Sequence, residues 1–587
     1  MTNKIQYKIA VLFVFAGLQA TFAQKKDENI GTEVVNVVKP YTPTISDAFK
    51  VKETPTLEDD DNTKKEEIKY TIFSFPVAST FTPSKGRAAA VDKSKQEKLF
   101  RNYATIGAGN YGTLNAELFV TENLNKNEYV GGMLRHLSSQ GGIDNILLDD
   151  KFSNTTLDLT YGNQQKDFSW NVDAGYQHQI YNWYGLRNDF ASDLADVQDR
   201  NDLVNSIDPQ QTYQNIYAGA RFAAKESIFK DATVKFNHFS DAFGSSENRF
   251  YVTPTVGFEV SGQKVNAKFI VDYLGGSFEK DYLGLTNGID YGYTNIGVQP
   301  SFTYQQDDLT VHLGAGIFYS MDNENSDNKL FVYPQVTATY RIVGDVMIAY
   351  AGAEGSLKQN TYRDLVQENF FVSPTLGIAP TDQKYDIYVG MKGKIANNVG
   401  FNIRGSYKNE DQKAMFLNNA YTNENANKEG YAFGNSFDVV YDNVKTISFF
   451  GELKADFSKN VSFGVSGTFS SYTTDVQAEA WNLPGLQVNA NIDFNITEKL
   501  YAGTSVFFVG ERKDIFSYNS LLRPNESVTT TLDSYFDLNA HVGYKYNERW
   551  TMFLRGNNLA SQDYQKWLNY PVQGIQVLLG ASYKFDF

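Results

Sequence analysis

Few residues in this chain have the types and spacings that could do chemistry. Histidine occurs at 136, 178, 238, 312 and 541. His238-Phe-Ser-Asp241 sets His, Ser and Asp close together, the types used in nucleophilic catalysis. A triad needs a fixed convergence of nucleophile, base and orienting acid, which proximity along a chain does not supply. His312 and His541 fall within strand patterns and are expected to be polar residues facing an interior. Asp322-Asn-Glu-Asn-Ser-Asp-Asn328 offers oxygens of the kind that hold Ca²⁺, without the spacing of a dedicated calcium loop. A solvated turn is the plainer account. With Cys 0, no disulfide and no thiolate metal site can form. No phosphate-cradling glycine loop occurs. The reading is of a non-enzyme with no cofactor and no metal site. The net charge of -15 gives no electrostatic reason to expect nucleic acid as a partner.

The elements that carry these residues are strands. In 264–273, Val265, Ala267, Phe269, Val271 and Tyr273 share a face against Asn266, Lys268 and Asp272. In 536–544, Phe536, Leu538, Ala540, Val542 and Tyr544 oppose Asp537, Asn539 and His541. Soluble sandwiches alternate too, so the connections decide. About ten tight polar turns recur near 125–127, 163–167, 225–230, 262–265, 306–309, 343–346, 396–399, 458–461, 497–500 and 547–549, which implies roughly 22 strands. Between them lie longer connections near 138–151, 184–211, 279–292, 359–384, 410–434, 475–485, 511–531 and 559–573. Short turns on one side and long loops on the other mark an outer-membrane barrel, with the turns periplasmic and the loops extracellular.

The expected fold is therefore all-β: a large antiparallel transmembrane β-barrel of about 22 strands, with 18–20 as the alternative. The count takes 437–457 as one long strand reaching beyond the membrane, and 102–108 with 114–122 as the first hairpin. No stretch beyond the amino terminus approaches 18 consecutive apolar residues, and the mean hydropathy is -0.41, which excludes helical spans but not a barrel. Aromatics make up 15% of the chain, with 38 Tyr and 43 Phe, enough for two interfacial girdles. Trp183-Tyr184 and Tyr564-Gln-Lys-Trp-Leu-Asn-Tyr570 fit either ligand stacking or the upper girdle, and the girdle is favoured.

The last strand closes the cylinder. Val577, Leu579, Ala581, Tyr583, Phe585 and the final Phe587 fall on one face, and Gln576, Gly580, Ser582, Lys584 and Asp586 on the other, with Leu578 the apolar exception. Val577, Leu579, Tyr583, Phe585 and Phe587 are the barrel-closing residues. At the other end, Lys4 and Lys8 precede the apolar run 9–18 and the small residues of Thr21-Phe-Ala23, a secretory signal over 1–23. Residues 24–99 carry Glu58-Asp-Asp-Asp61, Lys64-Lys-Glu-Glu67 and prolines at 40, 43, 55, 76 and 83, the texture of an extended periplasmic or lumenal segment. The barrel then occupies 100–587 and is placed in the outer membrane of a Gram-negative bacterium. Its expected partners are outer-membrane lipid and the barrel assembly machinery.

The carboxyl-terminal part resembles the barrel of TonB-dependent outer-membrane receptors. The resemblance rests on Phe536-Asp-Leu-Asn-Ala-His-Val-Gly-Tyr-Lys-Tyr546, Trp550-Thr-Met-Phe-Leu-Arg-Gly-Asn-Asn-Leu559, Tyr564 and the terminal strand. It implies a 22-strand barrel and a part in substrate transport across the outer membrane. Family members fill the lumen with an amino-terminal plug domain, and residues 24–99 lack that glycine-rich, globular pattern. The expectation is thus a receptor-like barrel without the usual plug. Glu33-Val-Val-Asn-Val-Val38 is similar to the short box that pairs with TonB by strand addition, making Glu33, Val34, Val35, Val37 and Val38 candidate residues for binding TonB or another envelope protein. Three fillers of so wide a lumen present themselves: residues 24–99, which are favoured, the long loops, or a separate protein. Two alternatives accompany transport: a structural or assembly component with a permanently blocked lumen, and a passive porin-like pore.

Overall fold

A computed structural model describes residues 98–192, 196–260, 262–284, 288–421, 428–520 and 523–587. The expected signal at 1–23, the segment 24–99 up to residue 97 and the Glu33–Val38 box lie outside the described residues.

The alternation read from the sequence is what builds the wall. In the strand Gln263–Phe278, Phe269, Val271 and Tyr273 are exposed on the outer face, while Ile270, Asp272 and Leu274 turn inward and are buried. Repeated around the cylinder, this exposes Ile106, Leu157, Ile216, Val332, Val389 and Phe449 as part of an apolar outer belt. Only lipid makes such a belt favourable, because water would leave the apolar area unburied.

The strands form a single antiparallel sheet of 22 members. Neighbours in the sheet follow chain order, and two small hairpins stand apart, Arg512–Ser520 with Arg523–Leu532 and Gln565–Trp567 with Tyr570–Pro571. The first strand, Asn102–Gly109, pairs with the last, Gln576–Phe585, in a register running from Asn102 opposite Phe585 to Gly109 opposite Leu578. This seam closes the sheet and leaves no edge strand, as spanning the hydrocarbon requires. The expected long strand is the 22-residue Phe437–Ser458, at least twice what a membrane crossing needs, at roughly 9–11 residues.

All ten expected turns join strands on one side. On the other side the loops are long, apart from the connections at 110–113, 242–245 and 323–327. Among the described residues of these loops are two helices: α1, Val197–Asn205, and α2, Tyr362–Glu368. The apolar core sits at this loop end and not at mid-height, and it is built from loops and the strand ends that carry them.

Candidate functional site

Loop 359–380 makes the centre of that core. The Thr361 hydroxyl accepts the Asp364 amide at 2.9 Å and starts α2. Tyr362, Leu365 and Val366 then bury one side of the helix. Seven residues do not hold a helix in isolation, so its stability comes from what it packs against. Its first amides meet a carboxylate from the barrel wall: Glu247 Oε2 accepts from Tyr362 N at 2.6 Å and Oε1 from Arg363 N at 3.2 Å. The Tyr291 hydroxyl donates to the same carboxylate at 2.9 Å. Three donors and the positive end of a short helix offset only part of the cost of burying Glu247. Nearby, the Tyr362 hydroxyl donates to Asp241 at 2.7 Å, Gln367 to Gln179 at 2.9 Å, and the Tyr213 hydroxyl to the Phe370 carbonyl at 3.0 Å.

Around these bonds lies an apolar cluster that joins opposite sides of the cylinder. Tyr213, Phe239, Leu274 and Phe278 come from one side, Phe416, Phe437 and Val439 from another, and Trp567 and Tyr570 from the last loop. The rings stack closely, Tyr181 on Phe370 at 3.9 Å and Phe371 on Tyr570 at 3.8 Å. Tyr570 donates its hydroxyl to the Asn435 carbonyl, and Asn435 in turn donates to the carbonyls of Trp183 and Gly430 at 2.7 and 2.8 Å. Loops 183–209, 359–380, 428–436 and 558–575 are thereby tied into one cap across the mouth.

The hairpin Arg512–Leu532 docks onto this cap through a buried carboxylate. Asp514 accepts from Asn418 N at 3.1 Å, Asn482 Nδ2 at 2.9 Å and Ile515 N at 2.7 Å. Burial pushes its carboxyl up from 3.8 to about 6, against the lowering effect of those hydrogen bonds. Arg512 donates to the carbonyls of Gln565 and Lys566, fixing the hairpin to the last loop.

The rest of the inner wall is polar and studded with ion pairs: Arg135 with Asp158 at 2.8 Å, Arg404 with Asp386 at 2.6 Å, and, against α2, Arg249 with Asp272 through two bonds at 2.8 and 2.7 Å and with Asp364 at 3.6 Å. Three recesses open on this wall, of about 480, 700 and 510 Å³. His312 faces inward, its Nδ1 3.1 Å from the Thr303 hydroxyl, and His541 lines the second recess.

No family model matches the chain, and no curated protein matches its sequence. Solved structures do match its fold. The FrpB iron transporter from Neisseria meningitidis superposes with a TM-score of 0.61 at 10% identity, covering 83% of this chain and 83% of that one. The copper transporter OprC gives 0.58 at 11%, covering 83% and 80%. The outer-membrane ferripyoverdine receptor of Pseudomonas aeruginosa gives 0.56 at 13%, covering 84% and 73%. The chain has the fold of an outer-membrane receptor barrel.

Within this receptor-type barrel the sequence-derived residues can be placed. Val577 and Leu579 are exposed on the outer face, opposite Gly556 and Leu554 of one neighbouring strand. Tyr583 stacks on Phe585 at 5.9 Å, and Phe585 meets Phe587 edge-on at 5.5 Å, an aromatic group at the turn end. The terminal strand pairs with the first in the register of the seam. Trp183, Tyr184, Trp567 and Tyr570 correct the girdle expectation. Trp183, Trp567 and Tyr570 are buried within the cap, and Tyr184 packs edge-on against Tyr570 at 4.8 Å. Their loops fold inward, so the rings meet protein and not headgroups. His238 and Asp241 sit an odd number of residues apart on one strand, so they point to opposite faces and form no triad. Asp322 takes up the amides of Glu324 and Asn325 at 3.1 and 2.9 Å, as the cap of a turn. Asp241, which the sequence singles out as a catalytic residue type, instead accepts the Tyr362 hydroxyl. Glu247, Gln179 and Asp514 are the functional candidates that sequence reasoning missed. Nothing local distinguishes them from other polar residues on strands.

Proposed function

We propose that this chain takes part in moving a solute across the outer membrane, with loop 359–380 as a gate at the outer mouth and without a separate plug domain. The observation that supports this most is the seating of α2: an apolar cluster bridges the mouth, yet the helix is fixed to the wall by a small set of polar contacts on Glu247, Asp241 and Gln179. The helix itself makes no bond of the strand ladder; the backbone of the loop beyond it is pinned to the first residue of the strand Phe437–Ser458, through Ser373 N to the Phe437 carbonyl at 2.9 Å and Phe437 N to the Phe371 carbonyl at 3.0 Å. The solved barrels of the same fold include an iron transporter and a copper transporter. Residues 24–99 would serve as a periplasmic or lumenal segment, with Glu33, Val34, Val35, Val37 and Val38 pairing with TonB or another envelope protein as an added strand.

The second reading is a structural barrel with a permanently blocked mouth. It is favoured by the interlocking of four loops, which exceeds what a simple flap requires. A passive pore is the least consistent with a bridged mouth.

Planar-bilayer conductance separates them. Three chains would be compared: the intact one, one lacking residues 24–99, and one with 360–379 replaced by a short Gly-Ser linker. The gate reading expects the intact chain to be silent and the linker chain to conduct. Silence in the linker chain, with conduction after removal of 24–99, would move the gate to that segment. Silence in all three would favour the structural barrel.

A further inference from the structure

The third recess, of about 510 Å³, lies on five consecutive strands, Met347–Lys358, Thr381–Ala396, Val399–Asn418, Phe437–Ser458 and Val461–Thr474. Register sets its inward-facing side chains in rows. Asp386, Lys408, Thr446 and Tyr472 form one, Tyr388, Ser406, Ser448 and Ser470 the next, and Arg404, Phe450 and Thr468 a third. The result is a patch of hydroxyls flanked by an arginine–aspartate pair and backed by aromatic rings. Tyr350 lies flat along the wall because Gly390 has no side chain; a Cβ there would fall 2.3 Å from the Tyr350 ring. The guanidinium of Arg404 is likewise held flat, 3.9 Å over the Tyr388 ring.

Three polar atoms here are buried with no hydrogen-bond partner: Thr446 Oγ1, Asp386 Oδ1 and Arg404 Nε. Thr446 is only 7% exposed, so its idle hydroxyl is not an ordinary surface group. Buried polar groups are normally satisfied, and an unsatisfied hydroxyl, acceptor and donor enclosed in three residues of one recess leave hydrogen-bonding capacity that a turn of these side chains toward a ligand would use. The charges are unequal as well. Arg404 pairs with Asp386 at 2.6 Å and Lys413 with Glu410 at 2.6 Å, whereas Lys408 forms no salt bridge with a described residue. A bulge supports this arrangement: the register breaks between Glu410 and Lys413, with Gln412 at φ 53°, which lets Lys413 reach back to Glu410 and leaves Lys408 as the surplus cation.

We infer that this recess binds a small polyhydroxylated ligand carrying a single carboxylate, that is, a sugar acid. Serine and threonine hydroxyls both donate and accept, which suits a ligand whose hydroxyls do the same. The exposed parts of the Arg404 guanidinium and the Asp386 carboxylate supply one further donor and acceptor, Lys408 takes the carboxylate, and Phe450 covers an apolar ring face. The volume lies within the range of small-molecule sites, about 300–1,000 Å³. This inference does not depend on whether loop 359–380 is a gate.

The test is calorimetric titration of the detergent-solubilised full chain with D-glucuronate, with D-glucose and inorganic phosphate as controls. Glucuronate is expected to bind with a Kd of about 1 mM, roughly tenfold tighter than either control. Lys408→Gln should bring glucuronate down to the glucose level without affecting glucose. Thr446→Val should weaken both sugars. Heat-modifiable gel migration, which reports the closed barrel, confirms that each variant is folded. The proposal is overturned if glucuronate does not bind, if phosphate binds as well as glucuronate, or if folded Lys408→Gln and Thr446→Val chains bind it like the parent.

Discussion

Glu247 Oε2 accepts the backbone amide of Tyr362 at 2.6 Å, joining a wall strand to a loop helix 115 residues later in the chain. The same oxygen accepts the Tyr291 hydroxyl, so one carboxylate holds its own wall strand, the next strand but one and the cap together.

Replacing that carboxylate should free the helix and spare the barrel. Glu247→Ala leaves the α2 amides and the Tyr291 hydroxyl without their acceptor, a cost of about 3 kcal/mol to the seating of the loop. Amide hydrogen exchange at 362–368 is expected to rise by about a hundredfold, while exchange within the strands stays unchanged. Parent-like protection at 362–368 would show that the apolar cluster alone seats the loop.

Docking of the hairpin should depend on pH through Asp514. Its carboxyl is raised by burial to about 6 in the folded cap, against 3.8 when the chain is unfolded. The folded form therefore binds the proton more tightly. Its contribution is fully present below 3.8 and is lost as pH rises through about 6. The span corresponds to on the order of 3 kcal/mol. Exchange at 512–516, corrected for the intrinsic rate, should be slower at pH 5 than at pH 7.5, and Asp514→Asn should flatten that difference. A pH-independent hairpin in the parent chain would refute the assignment.

Packing within the cap has its own signature. Tyr570 is stacked on Phe371 at 3.8 Å and is 1% exposed. Tyr570→Ala should cost the cap about 3–5 kcal/mol, the range for deleting a buried aromatic side chain. Tyr570→Phe should cost only about 1 kcal/mol, for the bond to Asn435. Limited proteolysis of loops 359–380 and 428–436 would rank parent, Phe and Ala variants in that order. Equal cleavage of all three would mean the loops are held elsewhere.

On the outer face the solvent is lipid. Leu579 is 65% exposed there, and Leu579→Lys should destabilise the folded barrel by about 2–4 kcal/mol near the membrane midplane. Ser582→Lys, on the lumen side of the same strand, should be milder. Urea titration in lipid vesicles distinguishes the two, and equal effects would place the Leu579 face away from lipid.

The barrel was readable in the sequence because its signals are local. Period-two alternation in 264–273 and 536–544 fixed which side faces lipid, and the ten tight turns fixed the strand number and the single span of Phe437–Ser458. The cap was not readable for the opposite reason. Tyr362, Leu365 and Val366 follow Thr361-x-x-Asp364 at helical spacing, but seven residues carry too little periodicity to stand out within the long stretch 359–384. Glu247 and Asp514 become special only once distant loops bury them. The same distance misplaced Trp183 and Trp567: an aromatic in a loop looks alike from sequence whether its ring meets a headgroup or another loop.

The cap also dictates an order of events. Tyr570 comes from the last loop, just ahead of the terminal strand, and it meets Tyr184 and Asn435 across 386 and 135 residues of chain. Contacts of such long sequence separation form late, after the chain between them is in place. During insertion the cap therefore stays incomplete until the last loop arrives, and a chain cut short of it would lack the contacts of Tyr570 with Phe371, Tyr184 and Asn435. Closure of the mouth is in this sense a built-in sign that synthesis and insertion have both finished.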